Sequence, residues 1–180
     1  MFGPVILGER VRLAPLTMEL MGNFVPWMAD PDVTRWMGVR GCPTLEMERE
    51  WYDKMSRSES DLLWGVFVGE KHIGSTGLHQ IDWRNRNAIT GNLLGDKTEW
   101  GKGYGSEVVA LRTRYAFEML GLEKLKTEVF IENVASRKAL EKSGYTTMGI
   151  ERREIYRHGY WHDMWRGEIL RSEWETLQQG

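Results

Sequence analysis

The chain has 180 residues, of which 41% are hydrophobic and 28% charged, and its formal net charge is −2. These values are typical of one globular domain, 1–180. The net charge argues against nucleic acid as the main partner, because a phosphate backbone requires a clustered basic surface. No apolar run is long enough to span a membrane, no secretory signal is seen, and Cys42 is the single cysteine. We therefore expect a cytoplasmic protein without a disulfide, and no metal-ligand spacing is found.

Two kinds of hydrophobic pattern divide the chain into strands and helices. Alternating apolar residues are typical of strands, and repeats of three and four residues are typical of amphipathic helices. In chain order they predict a strand at 9–16, helices at 17–28, from 31 and at 45–56, strands at 63–69, 72–81 and 88–95, a helix at 106–120, a strand at 125–131, a helix at 134–143, and two long strands between 145 and 170. This order predicts an α+β domain in which helices flank a mixed, mostly antiparallel seven-stranded sheet.

Glycines occupy alternate positions just before the central helix, in the run Glu99-Trp-Gly-Lys-Gly-Tyr-Gly105. Such a run leaves backbone N–H groups uncovered at the positive end of the helix dipole, and Lys102 adds a charge. The run therefore predicts a site for a diphosphate. It matches neither the dinucleotide fingerprint nor a Walker loop, and a plain strand-to-helix turn or a nucleotide-phosphate site remain alternatives.

Tryptophan is unusually abundant, with nine copies spread along the chain. Most are expected in the core or in contacts between subunits, because the indole ring combines a large apolar face with a polar edge. Trp27, Trp36 and Trp51 fall in the N-terminal helical region and are the candidates for a substrate cleft. Exposed sheet edges together with this tryptophan content predict a homodimer.

Four short blocks follow one another in a fixed order. They are Trp100-Gly-Lys-Gly-Tyr-Gly-Ser106, Thr127-Glu-Val-Phe, Asn133-Val-Ala-Ser136 and Leu140-Glu-Lys-Ser-Gly-Tyr145. With the element order, they resemble the RimJ/RimL-type branch of the GNAT superfamily of N-acetyltransferases, which includes ribosomal-protein and spermidine acetyltransferases. The resemblance covers nearly the whole chain. It implies the GNAT fold, whose sheet splays at its centre, and direct transfer of acetyl from acetyl-CoA to a primary amine of a small molecule or a peptide N-terminus.

The resemblance also implies where acetyl-CoA binds. Its pyrophosphate would lie on the glycine run, and its pantetheine arm would pair with the fourth predicted strand. The residues expected to contact the cofactor are Leu93, Leu94, Gly95, Trp100, Gly101, Lys102, Gly103, Tyr104, Gly105, Ser106, Asn133, Ser136 and Lys142. Trp100 departs from the family pattern, which has Arg or Gln at this place.

Catalytic roles follow the same resemblance only in part. It implies Ser136 as the proton donor to the leaving thiolate and a backbone N–H of Leu93 or Leu94 as an oxyanion donor. Relatives often carry a Glu where this chain has Ile89, so the general base is left open between Asp82, His79, Glu128 and a water chain.

The acceptor cleft is expected between the N-terminal helices and the last hairpin. His79 and Asn92 join the three tryptophans as candidate substrate contacts. The acidic residues Glu46, Glu48, Glu50 and Asp53 could attract a polycation such as spermidine or an aminoglycoside. The basic residues Arg49, Lys54 and Arg57 beside them favour a solvated helix face instead. The rival hypothesis is a catalytically inactive CoA-binding module, favoured by the missing Glu and by Trp100.

Overall fold

The computed structural model describes residues 1–38 and 41–179. Within these residues the strands are β1 Ile6–Leu7, β2 Arg12–Ala14, β3 Leu62–Val68, β4 Lys71–Asp82, β5 Asn87–Leu94, β6 Lys124–Phe130, β7 Thr146–Arg157 and β8 Tyr160–Leu170. The helices are α1 Met21–Ala29, α2 Pro31–Thr34, α3 Leu45–Ser56, α4 Tyr104–Glu118, α5 Val134–Lys142 and α6 Arg171–Gln178, with 3₁₀ turns at Met18–Leu20 and Lys97–Glu99. The strands form one sheet in the order β1-β2-β3-β4-β5-β6-β8-β7.

The predicted α+β class is confirmed, but the predicted strand count is wrong. The described residues form eight strands instead of seven. The chain turns where Gly8 N–H donates to the carbonyl of Val11 at 2.9 Å, so β1 adds a strand that pairs antiparallel with β2. The predicted helix start at Thr17 lacks a side-chain cap, and a 3₁₀ turn comes first. Thr44 and Asn133 do cap α3 and α5, because each side chain accepts a backbone N–H.

The sheet opens at its centre, as the resemblance implied. β5 and β6 pair in parallel from Asn87 opposite Lys124 to Thr90 opposite Thr127, and the pairing ends there. Both strands then continue, β5 to Leu94 and β6 to Phe130, without pairing to each other. The gap leaves one edge of β5 without a neighbouring strand.

Helices cover both faces of the sheet. Leu62, Trp64 and Val66 of β3 belong to the larger buried cluster, which includes residues of α4, α5 and α6. Leu63, between them in sequence, belongs to a second cluster with residues of α1 and α3. Since successive side chains of a strand point to opposite faces, α4–α6 lie on one side of the sheet and α1 and α3 on the other.

A buried histidine connects the second cluster to β4. His72 is 8% exposed, and its ring lies 5.0 to 5.6 Å from the rings of Phe24, Trp27 and Phe67. Its Nδ1 lies 3.0 Å from the amide nitrogen of Asn23, which can only donate, so Nδ1 accepts. Burial lowers the pKa of His72 to about 4.

This depressed pKa predicts a loss of stability in mild acid. The unfolded chain takes up the proton near pH 6.5 and the folded chain only near 4. The contribution of His72 is therefore fully present above pH 6.5 and declines by about 3 kcal/mol as the pH falls through this window. Urea unfolding at pH 7.5 and 4.5 should show the decline in the natural protein and a smaller one in His72→Phe. Equal declines would contradict the prediction.

Candidate active site

The glycine run forms an open cradle of backbone amides. α4 begins directly after Gly103, whose φ is +84°, and Gly101 has a φ of +75°, values that L side chains rarely adopt. In the described chain, none of the backbone amides of 101–106 donates a hydrogen bond to another protein group. These free donors lie at the positive end of a 15-residue helix, and the arrangement suits an anion such as a diphosphate.

Arg10 braces the cradle from the N-terminal part of the chain. Its Nη1 donates to the carbonyl of Lys102 at 2.9 Å, and its Nε lies 3.1 Å from Oε2 of Glu107. The other oxygen of Glu107 accepts the backbone N–H groups of Arg10 and Val11. A Cβ added to Gly103 would lie 3.4 Å from Nη2 of Arg10, so the guanidinium places a positive charge beside the amides. Sequence reasoning missed this residue because 97 positions separate Arg10 from Glu107.

Lys102 and Trp100 are held by their neighbours. Nζ of Lys102 lies 2.8 Å from Oε2 of Glu99, which offsets part of its charge. The backbone N–H of Trp100 is used inside the 3₁₀ turn, where it donates to Lys97. Its indole Nε1 donates to the carbonyl of Leu94 at 2.8 Å. Trp100 thus ties the cradle to the end of β5.

The open edge of β5 presents alternate backbone groups to the splay. Gly95 N–H donates to the carbonyl of Ile73 at 2.9 Å. Because hydrogen bonds alternate along an antiparallel ladder, the backbone N–H and C=O groups of Leu93 also point toward β4. Asn92 and Leu94 occupy the intervening positions, so their backbone N–H and C=O groups point away from β4, to the edge of β5 that β6 no longer pairs with. An extended ligand could pair there as an added strand.

A small cavity of about 130 Å³ lies in the splay between β5 and β6. Trp36, Asn133 and Ser136 line it, three of the residues that the sequence proposed for binding. Oδ1 of Asn133 accepts the backbone N–H of Ser136 at 3.2 Å. The Ser136 hydroxyl makes no hydrogen bond to the residues that the structure describes, so it is free to act on a ligand.

A larger cavity of about 690 Å³ lies between β3–β5 and the helices α1 and α3. Apolar side chains dominate its lining, among them Phe24, Met28 and Trp51. Gly91 and Asn92 line both cavities, so both cavities reach this point of β5. A ligand reaching the splay along β5 and a second ligand in the larger cavity would touch there.

Glu48 is a carboxylate that sequence reasoning placed wrongly. It is only 8% exposed and lines the larger cavity instead of a solvated helix face. Burial raises its pKa, and no hydrogen bond or ion pair joins its carboxylate to the described part of the chain. The signal was present, because Trp51, Tyr52 and Met55 follow Glu48 at helical spacings of three, four and seven.

His79 also lines the larger cavity, with a carboxylate behind it. Nδ1 of His79 lies 3.1 Å from Oδ1 of Asp61. Burial opposes ionisation of Asp61, but hydrogen bonds from Ser58 and His79 outweigh it and lower the pKa of Asp61. The charged Asp61 favours the tautomer with hydrogen on Nδ1, which leaves Nε2 as an acceptor. Nε2 lies near Gly91, since a Cβ added there would be 3.3 Å away.

The other candidates either lie away from the two cavities or are already paired. Asp82 accepts the backbone and side-chain N–H groups of Asn85 in the turn after β4. Trp27 packs on Phe24, His72 and Gly95, and Lys142 is exposed at the end of α5. Glu128 reaches the small cavity but pairs with Arg166.

A helix N-terminus with free amides, followed by a splayed sheet and two cavities that share residues of β5, is the architecture of an acyl-coenzyme A-dependent transferase. The chain belongs to the acetyltransferase (GNAT) family, whose domain matches residues 10–146. It is 25% identical over 165 residues to the uncharacterized N-acetyltransferase YoaA of Bacillus subtilis (strain 168), covering 89% of this chain and 93% of that protein.

Two further comparisons are with spermidine acetyltransferases, a class that the RimJ/RimL-type branch includes. The chain is 25% identical over 126 residues to spermidine N(1)-acetyltransferase of Vibrio cholerae, covering 69% of this chain and 72% of that protein. The crystal structure of Vibrio cholerae spermidine N-acetyltransferase with CoA and spermine has a TM-score of 0.87 at 20% identity, covering 93% of this chain and 99% of that one, which shows a shared fold.

The chain is therefore an N-acetyltransferase that uses acetyl-CoA as co-substrate and transfers acetyl to an amine. The family match and the named relatives support this activity and not the inactive CoA-binding alternative. Among the described residues, no helix has the length and apolar character needed to cross a membrane. The same residues contain no group of three or more side chains placed to hold a metal ion.

Proposed function

We propose that the acceptor is a primary amine with a largely apolar body, acetylated where both cavities reach Gly91 and Asn92. The observation that carries this proposal is that Gly91 and Asn92 line both cavities. One contains the free hydroxyl of Ser136, and the other contains Glu48 and His79 within an apolar wall. A thioester in the first and an amine in the second would be neighbours.

Acetyl-CoA fits this arrangement from the cradle inward. The backbone amides of 101–106 would hold its pyrophosphate, with Arg10 and Lys102 adding positive charge. The pantetheine arm would pair with the open edge of β5 at Asn92 and Leu94, and the thioester would end in the small cavity. We place the backbone donor at these positions instead of Leu93, because the ladder directs Leu93 toward β4.

The acceptor cavity favours a particular kind of amine. Glu48 is the one carboxylate among the described lining residues, and it offers a partner to one ammonium group. The apolar wall, including Phe24 and Trp51, suits an aryl or alkyl body. A polyamine with several charges would find fewer partners here, so spermidine serves as the comparison substrate.

The reaction divides between His79 and Ser136. Nε2 of His79 takes a proton from the ammonium, directly or through water, and the neutral nitrogen attacks the thioester carbonyl carbon. The tetrahedral intermediate collapses, the carbon–sulfur bond breaks, and the Ser136 hydroxyl gives a proton to the leaving thiolate. The nitrogen loses its remaining extra proton, which returns through water to the Ser136 oxygen, and His79 releases the first proton to solvent. The products are the acetamide and free CoA.

An amine panel with mass detection of the acetylated product tests this proposal. The panel contains 2-phenylethylamine, a tripeptide with a free N-terminus, spermidine and kanamycin. We expect a higher kcat/KM for 2-phenylethylamine than for spermidine, and we expect Glu48→Gln to raise its KM while Glu46→Gln, exposed on the same helix, does not. A preference for spermidine would overturn the apolar acceptor, and absence of any product would count against catalysis.

The role of Ser136 gives a separate prediction. Ser136→Ala should lower kcat about tenfold to a hundredfold, because proton transfer to the leaving group typically contributes 10²-fold or more and water can replace part of it. The affinity for acetyl-CoA should change little, since the cradle is untouched. Release of free CoA thiol and calorimetric binding measure the two effects. Unchanged turnover would remove Ser136 from the mechanism.

We further propose a cytoplasmic homodimer of one catalytic domain, 1–180, without nucleic acid as a partner. The described chain folds around a single sheet whose edge strand β7 is largely exposed. On the β7–β8 hairpin, Tyr156 and Trp161 pack edge to face with ring centroids 5.3 Å apart. They are 61% and 53% exposed, which favours burial against a second copy. A monomeric mass in light scattering would refute the dimer.

A further inference from the structure

Arg112 is a buried cation in the splay. It lies on α4, eight residues after the helix begins at Tyr104, and is 0% exposed. Its Nη1 donates to Oδ1 of Asn92 and, at 3.0 Å each, to the Thr76 hydroxyl and the Gly91 carbonyl. No carboxylate of the described residues pairs with it, its Nε and Nη2 make no hydrogen bond there, and the nearby Tyr145 hydroxyl offsets only part of the effect of burial on its pKa.

Such a group is costly to keep in a core. Burial lowers the pKa of Arg112, which reflects the loss of water around the charge. Unpaired buried donors reduce stability, and an apolar side chain of similar volume commonly serves as well or better. A purely structural role therefore accounts poorly for an arginine here, and its contacts indicate what it does instead.

Arg112 fixes the orientation of the Asn92 carboxamide. A guanidinium has only donors, so the group that faces it must be the oxygen of Asn92. The Thr76 hydroxyl bonds to the same oxygen, which leaves the Nδ2 end directed away from both residues. Asn92 is exposed to the cleft, and Nδ2 makes no hydrogen bond with the part of the chain that the structure describes. The nearby positive charge also polarises the amide and strengthens its N–H groups as donors.

This free donor belongs to a residue at the place proposed above for the reaction. Asn92 lines both the small cavity and the larger one. With the thioester in the first and the amine in the second, as proposed above, the carbonyl carbon under attack lies between them. Its oxygen gains negative charge as the amine attacks, and a preorganised N–H aimed at it would stabilise that charge.

We propose that Arg112 is a positioning residue that holds Asn92 so that its Nδ2–H donates to the acetyl carbonyl oxygen of acetyl-CoA and stabilises the tetrahedral intermediate. The inference rests on the proposed placement of the thioester. It assigns a side-chain oxyanion donor in addition to the backbone groups of β5.

Infrared spectroscopy of bound acetyl-CoA labelled with ¹³C at the carbonyl tests the hydrogen bond without any amine. In the natural protein the carbonyl band should move to lower frequency than in free acetyl-CoA. Asn92→Asp keeps the oxygen that faces Arg112 but removes the N–H donor, so much of this movement should be lost. Asn87→Asp, at the start of the same strand, is the control and should leave the band unchanged.

Kinetics with the panel amine that the natural protein acetylates fastest tests the consequence. Asn92→Asp should lower kcat about a hundredfold, the usual effect of losing one oxyanion donor, with the Kd of acetyl-CoA within about threefold. Arg112→Met should lower kcat by a similar factor. The double variant should have a kcat close to that of Asn92→Asp alone, because both changes remove the same interaction.

Two results with the Asn92→Asp variant would overturn the proposal. One is a carbonyl band in Asn92→Asp identical to that of the natural protein. The other is an effect confined to the KM of the amine, which would make Asn92 an acceptor contact. If Arg112→Met fails to fold, the Asn92→Asp spectrum still decides the donor. If the natural protein binds acetyl-CoA normally but the carbonyl band stays at its frequency in free acetyl-CoA, this inference alone is contradicted. If the natural protein acetylates none of the amines, the proposed function is contradicted.

Discussion

Gly103→Val should raise the Kd of acetyl-CoA by at least about a hundredfold. Gly103 has a φ of +84°, and a β-branched residue at that angle costs about 1 to 3 kcal/mol of backbone strain. Relief of the strain would turn the neighbouring amides away from the pyrophosphate. Loss of even two hydrogen bonds to a charged group, at about 1.5 kcal/mol each, corresponds to a hundredfold in affinity.

The matched control is Gly149→Val. Gly149 lies in β7 with an ordinary φ, and a Cβ added there has no atom within 4 Å. Valine is favoured in strands, so this variant should bind acetyl-CoA normally. Titration calorimetry measures both affinities, and thermal unfolding shows that Gly103→Val remains folded. Retention of tight binding by folded Gly103→Val would mean that these amides do not hold the cofactor.

The cradle could be predicted from sequence because its determinants are local. Alternate glycines followed at once by a helical repeat define a strained turn and a helix N-terminus, whatever the rest of the chain does. The caps Thr44 and Asn133 are local in the same way, because each side chain accepts the backbone N–H three residues further on. Arg10 was not, because its contacts with Lys102 and Glu107 exist only after two distant segments meet.

The first strand shows a different limit of pattern reasoning. Alternation over 9–16 predicts an extended segment, and it cannot reveal that the chain reverses between Gly8 and Val11. The hydrogen bond that closes this turn depends on backbone angles that the hydrophobic pattern does not encode. As a result, β1 was missed and the strand count was one too low.

Glu48 and Asp61 were missed through reliance on residue type. Charged residues on a helix usually face solvent, yet position 48 lies on the apolar stripe of α3. A carboxylate on such a stripe is costly unless it serves a ligand, so helical position carried more information than charge. Asp61 lies in a loop, and its pairing with His79 depends on how β3 and β4 pack.

His79→Ala should lower kcat/KM at pH 7 by about 10² to 10³, the usual contribution of a general base. The loss should shrink as the pH rises toward 9.5. An amine with a pKa of about 10 is about one part in a thousand neutral at pH 7 and about a quarter neutral at pH 9.5, so the base becomes less necessary. Asp61→Asn should lower the rate in the same pH-dependent way. Without the carboxylate, the imidazole of His79 no longer favours the tautomer that carries hydrogen on Nδ1 and leaves Nε2 as the acceptor.

Rate profiles from pH 6.5 to 9.5 for the natural protein, His79→Ala and Asp61→Asn measure this. His158→Ala, in the exposed β7–β8 turn, is the control and should follow the natural profile. A deficit in His79→Ala that is equal at every pH would mean that the imidazole shapes the cavity without taking the proton. Glu48, the buried carboxylate of the same cavity, would then be the remaining proton acceptor on the described wall, since Asp61 is turned toward His79 and Asp82 toward Asn85.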